Sequence, residues 1–180
     1  FLKHFAKLKR ESSFAKIISI TGSAGKTSLK DLIKDLLKNF GKTYSSPKSF
    51  NNHLGVPISL SNLNYYDKFG VFEVGMSKAG EIHNLTKLIK PDIGVITNIG
   101  EAHIENFKNI NGIANAKSEI IKNIKAGGTL ILNRDDKYFN FLKKEAEKYN
   151  LNILTFGKHK DSDVRIKKII RKNDKSKVFI

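Results

Sequence analysis

The sequence predicts an α/β fold, with a mostly parallel sheet flanked by helices on both faces. Apolar strand-like runs alternate with amphipathic helical stretches along the 180 residues, and this alternation is typical of parallel sheets. Two runs, Ile93-Gly-Val-Ile-Thr97 and Thr129-Leu-Ile-Leu132, are almost continuously apolar, as in strands covered on both sides. A glycine-containing loop between the first strand and a helix adds the signature of P-loop NTPase-like domains.

The alternation places the individual elements. We expect strands near residues 16–21, 42–46, 69–75, 93–98, 129–132 and 152–156. We expect helices near residues 26–40, 80–89, 110–124 and 136–149. The charged stretch from Lys158 to Lys177 is expected to form a mobile or hairpin-like edge.

Residues 17–28 carry the most specific motif, Ile-Ile-Ser-Ile-Thr-Gly-Ser-Ala-Gly-Lys-Thr-Ser. Backbone N–H groups of such a loop, with the positive end of the following helix, can surround a polyphosphate. Lys26 would reach the β- and γ-phosphates and Thr27 would hold Mg²⁺. The full pattern requires glycine where this chain has Ile20. The predicted nucleotide-binding residues are Thr21, Gly22, Ser23, Ala24, Gly25, Lys26, Thr27 and Ser28.

The helix after this loop is expected to bury one face. Its apolar residues recur at helical spacing and Gly41 follows as a stop signal. The predicted core-facing residues are Leu29, Leu32, Ile33, Leu36, Leu37 and Phe40.

Length and termini suggest one domain cut from a longer chain. Residues 1–15 mix apolar and basic side chains, which predicts a short amphipathic helix or linker following an upstream domain. The chain starts at Phe1, and its last four residues resemble an interrupted strand. We therefore expect residues 16–180 to form a nucleotide-binding central domain that is incomplete at its C-terminal end.

The amino-acid composition indicates which binding partners and which cellular compartment to expect. The net charge is +16, yet only four of the 33 basic residues are arginine, and the lysines are spread over helix faces rather than clustered with aromatics. Nucleic-acid binding is therefore the weaker alternative. The chain has no cysteine and no membrane-length apolar run, so we expect a cytoplasmic protein without membrane insertion.

Two polar residues follow predicted strands at the same edge of the sheet. Glu73 interrupts the apolar run Phe69–Met76, and a carboxylate there is costly unless it meets a cation. That cation is either Mg²⁺ at the phosphate site or a buried lysine. His103 follows the strand at 93–98, and it is either a metal or phosphate ligand or a structural histidine.

Several motifs in order carry a family resemblance. The loop at 21–27 resembles that of the Mur ligases, which also lack the first glycine of the pattern. The further matching motifs are Ser49-Phe-Asn-Asn-His-Leu-Gly-Val-Pro57, Glu73-Val-Gly-Met76, Thr97-Asn-Ile99 with His103-Ile-Glu105, Ala116-Lys-Ser-Glu119 and Asn133-Arg-Asp-Asp136.

The resemblance implies an amide-bond ligase that uses ATP and Mg²⁺ and forms an acyl phosphate. The Asn-Asn-x-x-Gly-Val-Pro stretch is most similar to the family members that add D-alanyl-D-alanine to UDP-N-acetylmuramoyl-tripeptide in peptidoglycan precursor synthesis. Other Mur ligases and folylpolyglutamate synthase are weaker matches there. A P-loop kinase is a more distant alternative, and we expect a monomer.

The resemblance also implies roles for individual residues. Lys26, Glu73, His103 and Lys117 match catalytic positions. Thr27 and Glu73 match ligands of a first Mg²⁺ and His103 a residue at a second metal. Lys117 matches a lysine that becomes carbamylated and helps to hold that second metal; the alternative is an ordinary surface lysine, although Lys117 falls on the apolar side of its predicted helix.

Three asparagines have weaker implied roles. Asn133 matches a residue that meets the adenine, but an Asx turn before the helix predicted at 136 explains it equally well. Asn51 and Asn52, in a predicted loop between Pro47 and Pro57, match residues facing the muramoyl substrate. Asparagine is also a good turn former.

Overall fold

A seven-stranded, entirely parallel sheet forms the centre of the computed structural model, which describes residues 1–102, 104–172 and 175–180. The strands are β1 (Lys16–Thr21), β2 (Thr43–Ser45), β3 (Phe69–Glu73), β4 (Ile93–Ile96), β5 (Thr129–Asn133), β6 (Asn152–Gly157) and β7 (Val164–Arg165). Their order across the sheet is β2-β3-β1-β4-β5-β6-β7. A separate antiparallel hairpin pairs β8 (Lys168–Lys172) with β9 (Lys175–Phe179), so the charged C-terminal stretch contains the expected hairpin.

Six α-helices flank the sheet in the described part of the chain. They are α1 (Leu2–Glu11), α2 (Lys26–Leu37), α3 (Gly55–Ser61), α4 (Glu81–Ile89), α5 (Ile110–Ser118) and α6 (Phe139–Glu147). Short 3-10 turns follow at Ile104–Asn106 and Ile121–Asn123. No helix among these residues is long and apolar enough to cross a membrane.

Alternate side chains of the central strands contribute to two apolar clusters, one on each face of the sheet. Ile17 and Phe72 point into the larger cluster, which includes buried side chains from α1, α3, α4, α5 and α6. Ile18, Ile20 and Val71 point into the smaller cluster, which α2 covers. The predicted mostly parallel sheet with helices on both faces is confirmed.

Helix α1 is fastened to the C-terminal end of α4. Ala6 is fully buried in the larger cluster. The Arg10 guanidinium is also buried, donating from Nε to the Ile89 carbonyl at 2.6 Å and from Nη2 to the Lys90 carbonyl at 2.9 Å. Burial lowers the pKa of Arg10, and Asp92 partly offsets this. The arginine satisfies carbonyls that the helix end leaves without intrahelical partners.

Helix α2 differs from its prediction. It ends at Leu37 rather than residue 40, and the chain continues in turns up to Gly41. Leu29, Ile33 and Leu37 pack on the sheet. The prediction was wrong for three residues of the apolar stripe, Leu32, Leu36 and Phe40, which are exposed. A helix lying flat on a sheet buries a narrow stripe, and these three lie outside it.

Two other predicted segments need correction. Helix α5 ends at Ser118 instead of 124, although Ile113, Lys117, Ile120 and Ile124 are all buried as their spacing predicts. Helix α3 was not predicted: Pro57, taken as part of a loop, lies in its first turn. Proline is tolerated there because first-turn N–H groups have no intrahelical acceptor.

Candidate nucleotide and metal site

The glycine loop of residues 21–25 leads from the carboxyl end of β1 into the N-terminus of α2. Gly25 caps that helix with φ 80°, a left-handed conformation that favours glycine. Gly22 has φ 148°, and a Cβ there would lie 1.8 Å from Thr97 Oγ1. The Lys26 ammonium donates to the Gly22 carbonyl at 2.9 Å. Loop and helix end together form an anion-binding arrangement.

The loop after β4 is hydrogen-bonded to the glycine loop. The Asn98 side-chain oxygen accepts hydrogen bonds from the N–H groups of Ser23 and Ala24, at 3.0 and 2.9 Å. Thr97 Oγ1 donates to the Ala24 carbonyl at 2.7 Å. Ser23 Oγ both donates to and accepts from the backbone of Gly100. The shape of the glycine loop therefore depends on residues 97–100. Asn98 is the middle residue of the motif Thr97-Asn-Ile99, and no role was predicted for it.

Glu73 links three elements at the carboxyl edge of the sheet. Its side chain is 2% exposed. Thr27 Oγ1, in the first turn of α2, donates to Glu73 Oε2 at 2.7 Å. Asn51 Nδ2 donates to Glu73 Oε1, also at 2.7 Å. Both partners are neutral, so neither hydrogen bond supplies a cation to this buried side chain beside the glycine loop.

This hydroxyl and carboxylate suit a magnesium ion. Mg²⁺ prefers oxygen ligands and is usually held by one or two protein groups together with water and phosphate oxygens. In the described part of the chain Glu73 has no lysine or arginine at ion-pair distance, contrary to the buried-lysine alternative. The same residues contain no group of three or more histidine or acidic side chains able to hold a metal, so Thr27 and Glu73 would supply the ligands together with the nucleotide.

Lys117 is buried beside this edge. Its side chain is 2% exposed, which excludes the surface-lysine alternative. Burial, with a smaller contribution from the Lys26 charge, lowers its pKa to about 8. Among the described residues its ammonium makes no hydrogen bond or ion pair, and both it and Lys26 line one cavity. A buried amine without an anionic partner is a reactive nucleophile once it loses its proton.

Glu119, two residues further on, ties α5 to α4. Its two carboxylate oxygens accept from the N–H groups of Gly80 and His83, at 2.6 and 3.0 Å. These amides belong to the first turn of α4, where a carboxylate is favourable. Helix α5, which carries Lys117, is thereby held in register with the start of α4.

The cavity next to these residues has a volume of about 980 Å³. Lys26, Lys117, Asn51 and Asn52 line one part of it. Residues of α1, residues of α4 with Lys90, the segment 75–77, His53 and Pro57 line the rest. Its size is in the range of ligand sites.

The remaining predicted site residues are His103, Asn133 and Asn52. His103 lies outside the described residues. Asn133 Oδ1 accepts from the Asp135 N–H at 3.0 Å, which is the Asx turn considered above. Asn52 Oδ1 accepts from the N–H groups of Leu54 and Gly55 at the start of α3, so its oxygen is used locally.

Comparison with known proteins identifies the family. Residues 20–180 match the Mur ligase middle domain. The chain is 40% identical over 154 residues to the UDP-N-acetylmuramoyl-tripeptide–D-alanyl-D-alanine ligase of Buchnera aphidicola subsp. Acyrthosiphon pisum, covering 86% of this chain and 34% of that one. It is 40% identical over 157 residues to the ligase of the same name from Rickettsia prowazekii, covering 87% and 35%. The chain thus spans about a third of the length of these curated relatives.

Solved structures agree with this assignment. This chain superposes on MurF from Acinetobacter baumannii with a TM-score of 0.89 and 32% identity, covering 94% of this chain and 37% of that one. It superposes on the MurF ligase of Thermotoga maritima in complex with ADP with a TM-score of 0.84 and 31% identity, covering 98% and 41%. A folylpolyglutamate synthase from L. casei, at 17% identity, shares the fold. The chain therefore belongs to the Mur ligase middle-domain family.

Proposed function

We propose that this chain is the ATP-binding central domain of a cytoplasmic ligase that adds D-alanyl-D-alanine to UDP-N-acetylmuramoyl-tripeptide in peptidoglycan precursor synthesis. Curated relatives at 40% identity carry that name. Residues 1–15 would be the lead-in from an upstream domain and residues 16–180 the incomplete central domain. We further propose that the whole enzyme acts as a monomer, without nucleic-acid or membrane partners.

One observation carries this proposal: the hydrogen-bonded pair of Thr27 and Glu73 at the mouth of the glycine loop. A buried carboxylate with only neutral partners is costly, and a phosphate-bound Mg²⁺ would compensate for its charge. The relative from Thermotoga maritima was solved with ADP. The same chemistry gives the loop residues 21–28 their role in binding ATP, with Asn133 proposed at the adenine.

The proposed reaction joins two anions before it forms an amide. The terminal carboxylate of the tripeptide attacks the γ-phosphorus of ATP, giving an acyl phosphate and ADP. The amine of D-alanyl-D-alanine then attacks the acyl carbon, phosphate leaves, and the amine loses a proton. Lys26, at the loop, would offset the charge of the approaching oxygens. Asn51 and Asn52 would face the muramoyl tripeptide from the cavity wall.

Mg²⁺ held by Thr27 and Glu73 would supply charge neutralisation at the transferred phosphoryl group. The oxygens of both side chains fit that role, because they lie within 2.7 Å of each other at the end of β3. Asn51 orients the carboxylate by holding its other oxygen. We propose His103 as a group at a second metal.

Lys117 would become a carbamate in the working enzyme. The ammonium first loses a proton, and the neutral amine then adds to CO₂, forming an N–C bond and releasing a second proton, so that a cationic side chain becomes an anion. With a pKa of about 8, roughly a tenth of the amine is neutral at pH 7, against a few parts in ten thousand for an ordinary lysine. The carbamate oxygens would then help to hold the second metal.

Phosphate release by the full-length ligase tests the proposal. The purified protein is given ATP, Mg²⁺ and UDP-N-acetylmuramoyl-tripeptide, with D-alanyl-D-alanine or a single amino acid as the acceptor. We expect phosphate release with the dipeptide. Release only with a single amino acid would indicate another Mur-type or folylpolyglutamate-type ligase instead.

A further inference from the structure

Lys30 is a fully buried cation whose role the nucleotide site does not explain. It lies in α2 one turn after Thr27, and its side chain is 1% exposed. Its ammonium donates to the backbone carbonyl of Lys48 at 2.6 Å. The nearest carboxylate described, that of Asp31, is 3.7 Å away and 59% exposed. A buried ammonium with so little compensation is expensive, and an apolar residue of the same length would avoid that cost.

The Lys48 carbonyl, which accepts this hydrogen bond, belongs to a strained part of a loop that extends to the proposed metal site. We call residues 46–52 the Asn loop. Lys48 has φ 40°, a left-handed backbone conformation that is costly for a residue with a side chain. Lys48 itself is exposed, whereas the Lys30 side chain that donates to its carbonyl is buried. The hydrogen bond from Lys30 therefore connects this strained residue to α2.

The Asn loop is fixed at one end to β3 and at the other to Glu73 and the residues that follow β3. Ser46 donates its N–H to the Val71 carbonyl at 2.9 Å, and its Oγ accepts the N–H of Glu73 at 3.3 Å. At the other end, the Asn51 carbonyl accepts the N–H of Gly75 at 2.8 Å. Asn51 also holds the Glu73 carboxylate. Between these ends, Lys30 provides the connection to α2.

We propose that Lys30 is a positioning residue that sets the Asn loop against α2, so that Asn51 holds the Glu73 carboxylate in the orientation that Mg²⁺ requires. Thr27 and Lys30 lie on the same side of α2, three residues apart, as helix geometry allows. Thr27 contacts one oxygen of Glu73 directly, and Lys30 acts on the other through Lys48 and Asn51. The inference rests on the proposed Mg²⁺–nucleotide site, but not on the identity of the acceptor amine.

The test compares nucleotide affinity with and without Mg²⁺ in the full-length ligase. Lys30→Met removes the ammonium and keeps the length of the stem, and Lys34→Met, one turn further along α2, is the matched control. We expect Lys30→Met to leave the Kd for ATP in EDTA unchanged. We expect the tightening of ATP binding by Mg²⁺ to fall about tenfold, the equivalent of one lost hydrogen bond to a charged group. Lys34→Met and Lys48→Gly, which retains the carbonyl, should match the wild type.

A double-mutant cycle shows whether the effect passes through Asn51. If it does, combining Lys30→Met with Asn51→Ala reduces the Mg²⁺ effect little more than Asn51→Ala alone. Additive losses would overturn the proposal, as would an unchanged Mg²⁺ effect in Lys30→Met or an equal loss of ATP affinity in EDTA. If Lys30→Met does not fold, Lys30→Gln takes its place in the cycle. Failure of both to fold would overturn the proposal, because Lys30 would then be required for folding itself.

This readout separates the inference from the proposed function. The wild-type protein could fail to ligate D-alanyl-D-alanine and still bind ATP more tightly with Mg²⁺. That result would contradict the proposed acceptor, and the Mg²⁺ effect on ATP binding would still test the role of Lys30. If the wild type ligates D-alanyl-D-alanine and Lys30→Met shows the same Mg²⁺ effect as the wild type, the proposed role of Lys30 is rejected and the proposed function stands.

Discussion

Thr27 and Glu73 come from different elements, the first turn of α2 and the last residue of β3, and their side-chain oxygens are 2.7 Å apart. The contact joins the phosphate-binding loop to the neighbouring strand. Because Asn51 holds the other oxygen of the same carboxylate, the position of Glu73 depends on three segments that are far apart in sequence.

Glu73→Gln should fold and be at least as stable as the wild type in metal-free buffer. The amide keeps the shape of the carboxylate and removes a buried charge, which is neutral or stabilising by about 1–2 kcal/mol when no cation compensates for it. Urea unfolding in EDTA measures this. A loss of several kcal/mol would show instead that the charge is satisfied within the protein.

Lys117→Met should raise stability in CO₂-free buffer at neutral pH. The folded-state pKa of about 8 lies below the unfolded value of 10.5, so between these values the unfolded chain binds more protons and wild-type stability rises with pH. Below pH 8 the cost of the buried charge is fully present. The advantage of Lys117→Met should therefore be largest near pH 7 and shrink as the pH rises from 8 to 10.5.

Urea unfolding of the wild type and Lys117→Met at several pH values checks this expectation. Lys122→Met, at a position exposed on the following 3-10 turn, is the control and should show no such trend. A constant difference between Lys117→Met and wild type across the window would mean that the pKa of Lys117 is not lowered.

Gly22→Ala should abolish nucleotide binding and reduce stability. Its Cβ would collide with Thr97 Oγ1 at 1.8 Å, and its φ of 148° already disfavours a side chain. Gly127→Ala is the matched control, since Gly127 also has positive φ, 71°, but open space around it. We expect a cost of about 1 kcal/mol for Gly127→Ala and about 3 kcal/mol or more for Gly22→Ala. Equal costs would show that the clash is relieved by movement of Thr97.

Asn98→Ala should weaken ADP binding about tenfold, because the glycine loop loses the acceptor for the N–H groups of Ser23 and Ala24. Calorimetric titration with ADP measures the change, and Asn140→Ala on the exposed side of α6 serves as the control. An unchanged Kd would mean that the loop keeps its shape without Asn98.

The sequence was sufficient for the features that depend on local pattern. The first six strands of the parallel sheet and the glycine loop follow from apolar runs and from glycine spacing, and the burial of Lys117 follows from its place on an apolar stripe. The seventh strand, β7, was not predicted, because it lies in the charged stretch after Lys158. Leu32, Leu36 and Phe40 were misassigned because periodicity shows which residues share a side of a helix but not how wide a stripe the sheet covers.

The contacts made between distant segments could not be predicted. Asn98 is 74 residues from Ala24, and no local pattern marks its side chain as the acceptor for that loop. Lys30 looks like one more lysine in a lysine-rich helix, and only the folded Asn loop shows that its side chain is buried. Helix α3 was not predicted because Pro57 suggested a loop. Proline is tolerated in the first turn of a helix, but this rule can be applied only when the start of the helix is known.

The sharpest test of the metal site at Thr27 and Glu73 is the Kd for ATP of the full-length ligase, measured in Mg²⁺ and in EDTA for the wild type and Glu73→Gln. We expect Mg²⁺ to tighten ATP binding by the wild type about tenfold or more, and we expect Glu73→Gln to lose this effect while keeping its affinity in EDTA. The same Mg²⁺ effect in both proteins would contradict the assignment of Glu73 and Thr27 to the metal site.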